Sequence, residues 1–254
     1  MSSTGTSAYT INRDGLIKSS LRALRVLQDG QTPSAQQITD GAEVLNTLIK
    51  DIQSDGLALW TYQTIQIPMQ VNKNSYTIGP TGADVTANRP LRLFDGTFIR
   101  QTLSGTDFDT PLRVISRAEY KNFGSKGSKG TPNSVYYDSK IDIAGGLTSP
   151  SLGYGTLFVY TSPIDATRTV HGNFQRQLFD MTNATDEFDF PSENFQMLRW
   201  GLAAELSDEY EVPEDRIHRI HQKAKYYRDK LEAWSVETTP MQFTPEWSVN
   251  TARY

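Results

Sequence analysis

Residues 214–234 read EDRIHRIHQKAKYYRDKLEAW, and Ile217, Ile220, Ala224, Tyr227, Leu231 and Trp234 advance along them by alternating threes and fours. That spacing puts six apolar side chains on one side of a helix, a seam that another helix must cover. Glu211-Val212-Pro213 breaks the chain just before it, so the preceding helix is a separate one. In that third helix Phe195, Leu198, Leu202 and Leu206 form one stripe while Met197, Trp200 and Ala204 form another, which predicts burial on two sides. Ser192, after Phe190-Pro191, is its expected cap. Asp186, Glu187, Asp189 and Glu193 crowd the same start, where a helix dipole favours carboxylates.

Further helices to cover the seam come from the other end of the chain. Arg13 to Gln28 carries Ile17, Leu21 and Leu24 at helical spacing. Ser34 and Gln37 make a capping box for a second helix with the stripe Ile38, Ala42, Leu45, Leu48, Ile49 and Ile52, running to Ser54 and stopped by Asp55-Gly56. Between the two helical ends the period falls to two. Strands are expected over Tyr62 to Val71, Ser75 to Ile78, Leu91 to Thr102, Leu112 to Ile115, Ser134 to Ile143, Thr156 to Tyr160 and Thr169 to Leu178, with Asn72-Lys73-Asn74 as a hairpin turn. The expectation is an α+β fold of about four helices split around a large inserted β-rich region: 1–59 and 190–235 helical, 60–189 β-rich, 236–254 an extended C-terminal tail. In that tail Pro240 and Pro245 forbid a continuous helix, and Phe243, Trp247 and Tyr254 are expected aromatic anchors.

Composition removes several classes of function. Cysteine is absent, so disulfides, thiolate metal sites and a cysteine nucleophile are excluded. Apolar runs are far shorter than the ~20 residues of a membrane span. The Ser/Thr-rich start lacks the pattern of a signal peptide, which points to synthesis and use in a cytoplasm. Ser, Thr, Asn and Gln number 73 of 254 residues, a larger share than the 21% that is charged, and the net charge of -4 offers no global attraction to nucleic acid. Contact with DNA must then be local.

Several residue sets invite chemistry. His218 and His221, three apart on the last helix, have metal-ligand spacing, but Arg216, Arg219, Lys223 and Lys225 beside them repel a cation, so they read as solvated or partner-facing. His171 has no nucleophile elbow to serve. The Gly124 to Gly130 segment lacks the Gly-Lys-Ser/Thr ending of a phosphate loop; Lys126 and Lys129 there read as a solvated loop or as contacts to DNA phosphates or an acidic protein surface. Lys18, Arg22 and Arg25 recur by four and three on the first helix, a basic stripe that is either a solvated face or a functional one.

The chain resembles the head-to-tail adaptor family of short-tailed bacteriophages, also called tail accessory factors or packaged-DNA stabilisation proteins. Two segments carry the resemblance. Leu21-Arg22-Ala23-Leu24 with Ala42 to Lys50 and Asp55 to Trp60 leads into a strand at Tyr62, and Gly201-Leu202-Ala203-Ala204-Glu205-Leu206-Ser207-Asp208-Glu209-Tyr210-Glu211-Val212-Pro213 precedes a long charged helix. Together they cover under half the chain. The resemblance implies a non-enzymatic virion protein without cofactor or metal, forming a dodecameric ring at the head–tail junction after assembly in the host cytoplasm. Its implied partners are the portal protein, further copies of itself, tail nozzle or fibre proteins and the double-stranded DNA passing through, with no membrane; on that resemblance Lys18, Arg22 and Arg25 face the DNA channel or an acidic portal surface, and Phe243, Trp247 and Tyr254 anchor on the portal or a neighbouring copy. The competing readings are another tail or minor capsid protein, or a virion-associated cell-wall hydrolase.

Overall fold

The computed structural model describes residues 9–56, 59–142 and 153–235. Helix α1 spans Arg13–Leu24, with the Asn12 side chain accepting the Gly15 N–H at its start. It ends four residues before the expected Gln28 because Arg25 turns left-handed at φ 61° and Val26 N–H returns to the Leu21 carbonyl, a closing turn that satisfies the last carbonyls without a glycine. Helix α2 spans Ala35–Ser54 and opens with the expected reciprocal capping box of Ser34 and Gln37. Gly41 lets α2 approach α1: a Cβ there would stand 2.7 Å from Cγ2 of the fully buried Ile17.

Eleven strands follow: β1 Tyr62–Pro68, β2 Ser75–Gly79, β3 Val85–Thr86, β4 Arg92–Leu103, β5 Thr106–Pro111, β6 Arg113–Val114, β7 Lys129–Gly130, β8 Ser134–Asp142, β9 Tyr154–Tyr160, β10 Ser162–Pro163 and β11 Arg168–Gln175. A short helix α3, Arg117–Asn122, interrupts them. One sheet has the order β1-β11-β4-β5 with antiparallel neighbours; a second has the order β3-β2-β9-β8-β6, and β10 pairs with β7. Ile65, Ile67, Ile99, Val170 and Phe174 of the first sheet and Tyr76, Ile78, Val135, Leu157 and Val159 of the second share one core. Asn72-Lys73-Asn74 is therefore not a hairpin turn. Strand β1 pairs with β11 and β2 with β9, so the chain crosses from one sheet to the other there, held by the Tyr76 hydroxyl, which accepts the Gln70 N–H and donates to the Lys73 carbonyl.

The polar strand β5, Thr106–Pro111, has no buried residue and escaped the period-two reading for that reason. Helix α3, six residues long and capped by Ser116, was equally invisible.

Helix α4, Phe195–Leu206, and α5, Glu214–Ser235, close the helical unit. The expected Ser192 cap is not formed. Ser192–Asn194 makes a 3-10 turn whose Ser192 carbonyl accepts the Phe195 N–H, and no side chain caps α4. Phe195, Met197, Leu198, Leu202, Ala203 and Leu206 are buried, and α4 packs on α1, α2 and α5, so its two-sided burial is as expected. Of the α5 seam, Ile220 and Leu231 are buried and Ala224 and Tyr227 pack at the margin, whereas Trp234 is 74% exposed.

A strap of irregular chain, residues 176–190, ties the two units. Leu178, Met181, Phe188 and Phe190 put their side chains in the helical core. Asn46 of α2 accepts the Met181 N–H at 2.9 Å and donates to the Met181 carbonyl at 3.2 Å. Gln53 accepts the Leu178 N–H at 2.7 Å, and the Trp60 indole donates to the Asp189 carbonyl. Of the carboxylates expected at the start of α4, Asp186 and Asp189 serve this strap instead, Glu187 lies in it through its backbone, and Glu193 stays in the 3-10 turn ahead of Phe195. Asp189 pairs with Arg176 through both oxygens, Asp186 accepts the Thr182 and Asn183 N–H groups, and Glu187 bridges backbone to Asn12.

Candidate functional site

The first helix presents the basic stripe as its spacing predicts: Arg22 and Arg25 are exposed and Lys18 is half-buried. Arg22 occupies the last turn, where the helix dipole itself favours a cation, so a purely structural role accounts for part of the pattern. The fold enlarges it. Arg216 of α5 donates to the Ala23 carbonyl through Nε at 3.2 Å and Nη2 at 2.7 Å, which draws the start of α5 onto the end of α1. Burial, with Arg25 and Arg219 alongside, lowers the Arg216 pKa, so three guanidiniums share one neighbourhood. They line an open recess of about 480 Å³ together with Leu24, Tyr210 and Val212. One turn further along α5 the Lys223 ammonium lies 4.2 Å from the centroid of Trp200, and the Arg199 guanidinium is 5.2 Å from the same ring.

Glu211 and Asp215 also line the recess, yet among the described residues none of Lys18, Arg22, Arg25, Arg216, Arg219 and Lys223 has a carboxylate within 4.0 Å. A cluster of unneutralised cations repels itself and attracts an anionic surface. Sequence reading found the α1 half of this face. It registered Arg216, Arg219 and Lys223 only as neighbours hostile to a metal, because no periodicity links two helices nearly two hundred residues apart.

The other expected sites fare differently. Lys126 is half-buried and donates to the Lys121 and Phe123 carbonyls, closing the end of α3 while its ammonium stands over the Tyr120 ring. Within the chain it tethers the end of α3. Lys129 is exposed on β7, whose pairing with β10 gives the Gly/Ser segment a fixed edge. The two histidines part company: the His218 ring meets the Gln222 amide at 2.9 Å and the His221 ring approaches the Ser207 hydroxyl at 3.5 Å. Among the described residues no group of three or more His, Asp or Glu is arranged to hold a metal ion. His171 stacks on Phe98, and burial, followed by the Arg100 charge, lowers its pKa. Phe243, Trp247 and Tyr254 lie outside the described residues. No helix among the described residues is long and apolar enough to cross a membrane.

No family model matches the chain, and no curated protein matches it.

Proposed function

We propose that the chain is a non-enzymatic subunit of a head-to-tail adaptor ring, about a dozen copies joining a phage portal to the tail and helping to retain packaged DNA. The observation that carries this reading is the helical unit closed from both chain ends: α1 and α2 share one core with α4 and α5, while the sheets between them keep a core of their own. Such a two-part subunit can devote a four-helix bundle to the ring and portal and project a β unit toward the nozzle or fibre proteins below. The cationic face of Lys18, Arg22 and Arg25, extended by Arg219 and Lys223, supplies the attraction to an acidic neighbour or to the DNA in the channel, and repetition around a ring multiplies a field that one copy produces weakly.

The test is electron microscopy of the purified chain with and without its portal. A ring seated beneath the portal only when both are mixed is the expected result; absence of any ring or portal complex would remove the reading. Deleting Gln242 to Tyr254 probes the tail: unchanged melting with lost incorporation into particles is expected, and a large loss of monomer stability would instead make the tail part of the subunit's own fold.

A further inference from the structure

The helical unit carries a second face of opposite sign. Glu43 on α2, and Glu205 and Glu209 at the end of α4, line an open recess of about 610 Å³ beside Thr47 and Asp51. All three glutamates are exposed, and among the described residues none has a cation within 4.0 Å; Asp51 alone has one, Arg228 at 3.5 Å. The Asp40 carboxylate is near enough to Tyr210 to add, after burial, to the raising of its pKa, as Glu209 also does. The two faces are distinct surfaces. Trp200, under Lys223, and Glu205 are both on α4 five residues apart, which is about 140° around a helix of 3.6 residues per turn. The Lys223 and Glu205 ends of the two faces therefore lie on different sides of α4, while Tyr210, which lines the cationic recess and feels the Glu209 charge, marks where the faces approach each other.

We infer that the cationic face of one copy, centred on Arg25 and Arg219, docks on the acidic face of the next, centred on Glu205 and Glu209, in a head-to-tail contact. The partner named here for the cationic face rests on the ring reading above only for the closure of the contact into a ring. Two unlike patches on different sides of one subunit suit a repeating head-to-tail contact, since a two-fold contact centred on either patch alone would place that patch against itself. Such a contact brings cation onto cation or carboxylate onto carboxylate, so charge disfavours it and favours the alternating arrangement. Among the described residues none of Arg25, Arg219, Glu205 and Glu209 has an ion-pair partner within 4.0 Å, so a contact between copies supplies one to each.

The experiment is sedimentation of the full chain over a concentration series at low salt and again at about 1 M salt, where the screening length is about 3 Å. The wild-type chain associates reversibly at low salt, and salt weakens it by tenfold or more. The exposed substitutions Arg25→Glu with Arg219→Glu abolish that association, as do Glu205→Lys with Glu209→Lys. Mixing the two reversed chains, or combining all four substitutions in one chain, restores it, because the signs are complementary again. Thermal melts matching wild type show that the variants remain folded. The inference is overturned if the wild-type chain does not associate, if either reversed pair associates like wild type, or if neither mixture nor fourfold variant recovers while the melts match. It is also overturned if reversal of Arg25 and Arg219 abolishes binding to duplex DNA while self-association ignores the acidic face, which would give the cationic face to nucleic acid. Portal docking is scored separately: a chain that docks on the portal but ignores these reversals loses this inference and keeps the ring reading, and a chain that self-associates without docking does the opposite.

Discussion

The helical unit and the β unit are built from the same polar sequence yet hold together by different means. In the helical unit, Leu45, Ile49, Leu198, Leu202 and Leu206 are fully or almost fully buried, and its surface divides into a cationic and an acidic face. The β unit has a smaller apolar core, enclosed between two sheets, and is edged by side-chain pairs, Arg100 with Asp107 and Asp109, Lys73 with Asp84 and Arg168 with Asp165, and by the stack of Tyr120, Tyr136 and Phe158. The contrast teaches that helices from before and after the strands share one core, while the intervening strands form a second piece with its own core. The strap of residues 176–190 is what couples them.

Three of the four tryptophans, Trp60, Trp200 and Trp234, lie in or against the helical unit, so fluorescence reports that unit while far-ultraviolet circular dichroism reports both. Leu202→Ala is expected to lower helical-unit stability by about 2–5 kcal/mol, and Val159→Ala to lower that of the β unit by a smaller amount, since fewer atoms are removed. In urea, the first should displace the fluorescence transition most and the second the dichroism transition most. Equal displacement of both probes by both variants would make the two units a single cooperative block.

Asp189→Ala leaves Arg176 without its paired carboxylate in a half-buried setting and should cost about 1–3 kcal/mol. Its more informative effect is uncoupling, seen as a wider gap between the two transitions than in the wild-type chain. No change in the gap would assign the coupling to Asn46 and Gln53 instead.

A smaller effect follows from acid. Burial tends to raise the Asp84 pKa, but hydrogen bonds from Lys73 and from the Thr77 backbone and hydroxyl outweigh it and hold the carboxyl below the usual carboxylate range. A carboxylate whose folded pKa is depressed adds stability above the unfolded value of about 3.9, and that stability is lost as pH falls through the folded pKa. Asp84→Asn should therefore weaken the β unit at neutral pH and match wild type in strong acid, as melting across pH 2 to 7 would check. A difference that grows toward acid would contradict the assignment.

The smallest expected effect is at Lys126. Removing its hydrogen bonds to the end of α3 with Lys126→Ala should cost about 0.5–1 kcal/mol, read as faster hydrogen exchange at α3 with the helical unit untouched. A defect in assembly without that local loosening would return the residue to the role of a partner contact.

Helices α1, α2, α4 and α5 were legible because each repeats its apolar residues every three or four positions, and the Ser34 and Gln37 box, the Asp55-Gly56 stop and the Pro213 break all act within one turn. Seven of the strands were legible from local pattern too, an alternation such as Gly155, Leu157 and Val159 facing inward from β9. Half of the basic face was legible as Lys18, Arg22 and Arg25. What the sequence alone could not disclose is every relation between distant segments. Strand β1 finds β11 rather than β2, the strap of Leu178 and Met181 lies on α2, and Arg216 closes the end of α1. Such choices are set by which surfaces must be buried together and which buried polar groups must find partners, and a local pattern records the need without naming the partner. The alternation of apolar and polar residues was therefore the chain's own, while the gathering of Arg25, Arg216 and Arg219 at one recess and of Glu43, Glu205 and Glu209 at another belongs to the tertiary structure, because charges separated along the sequence act on one another only once the fold has brought them within reach.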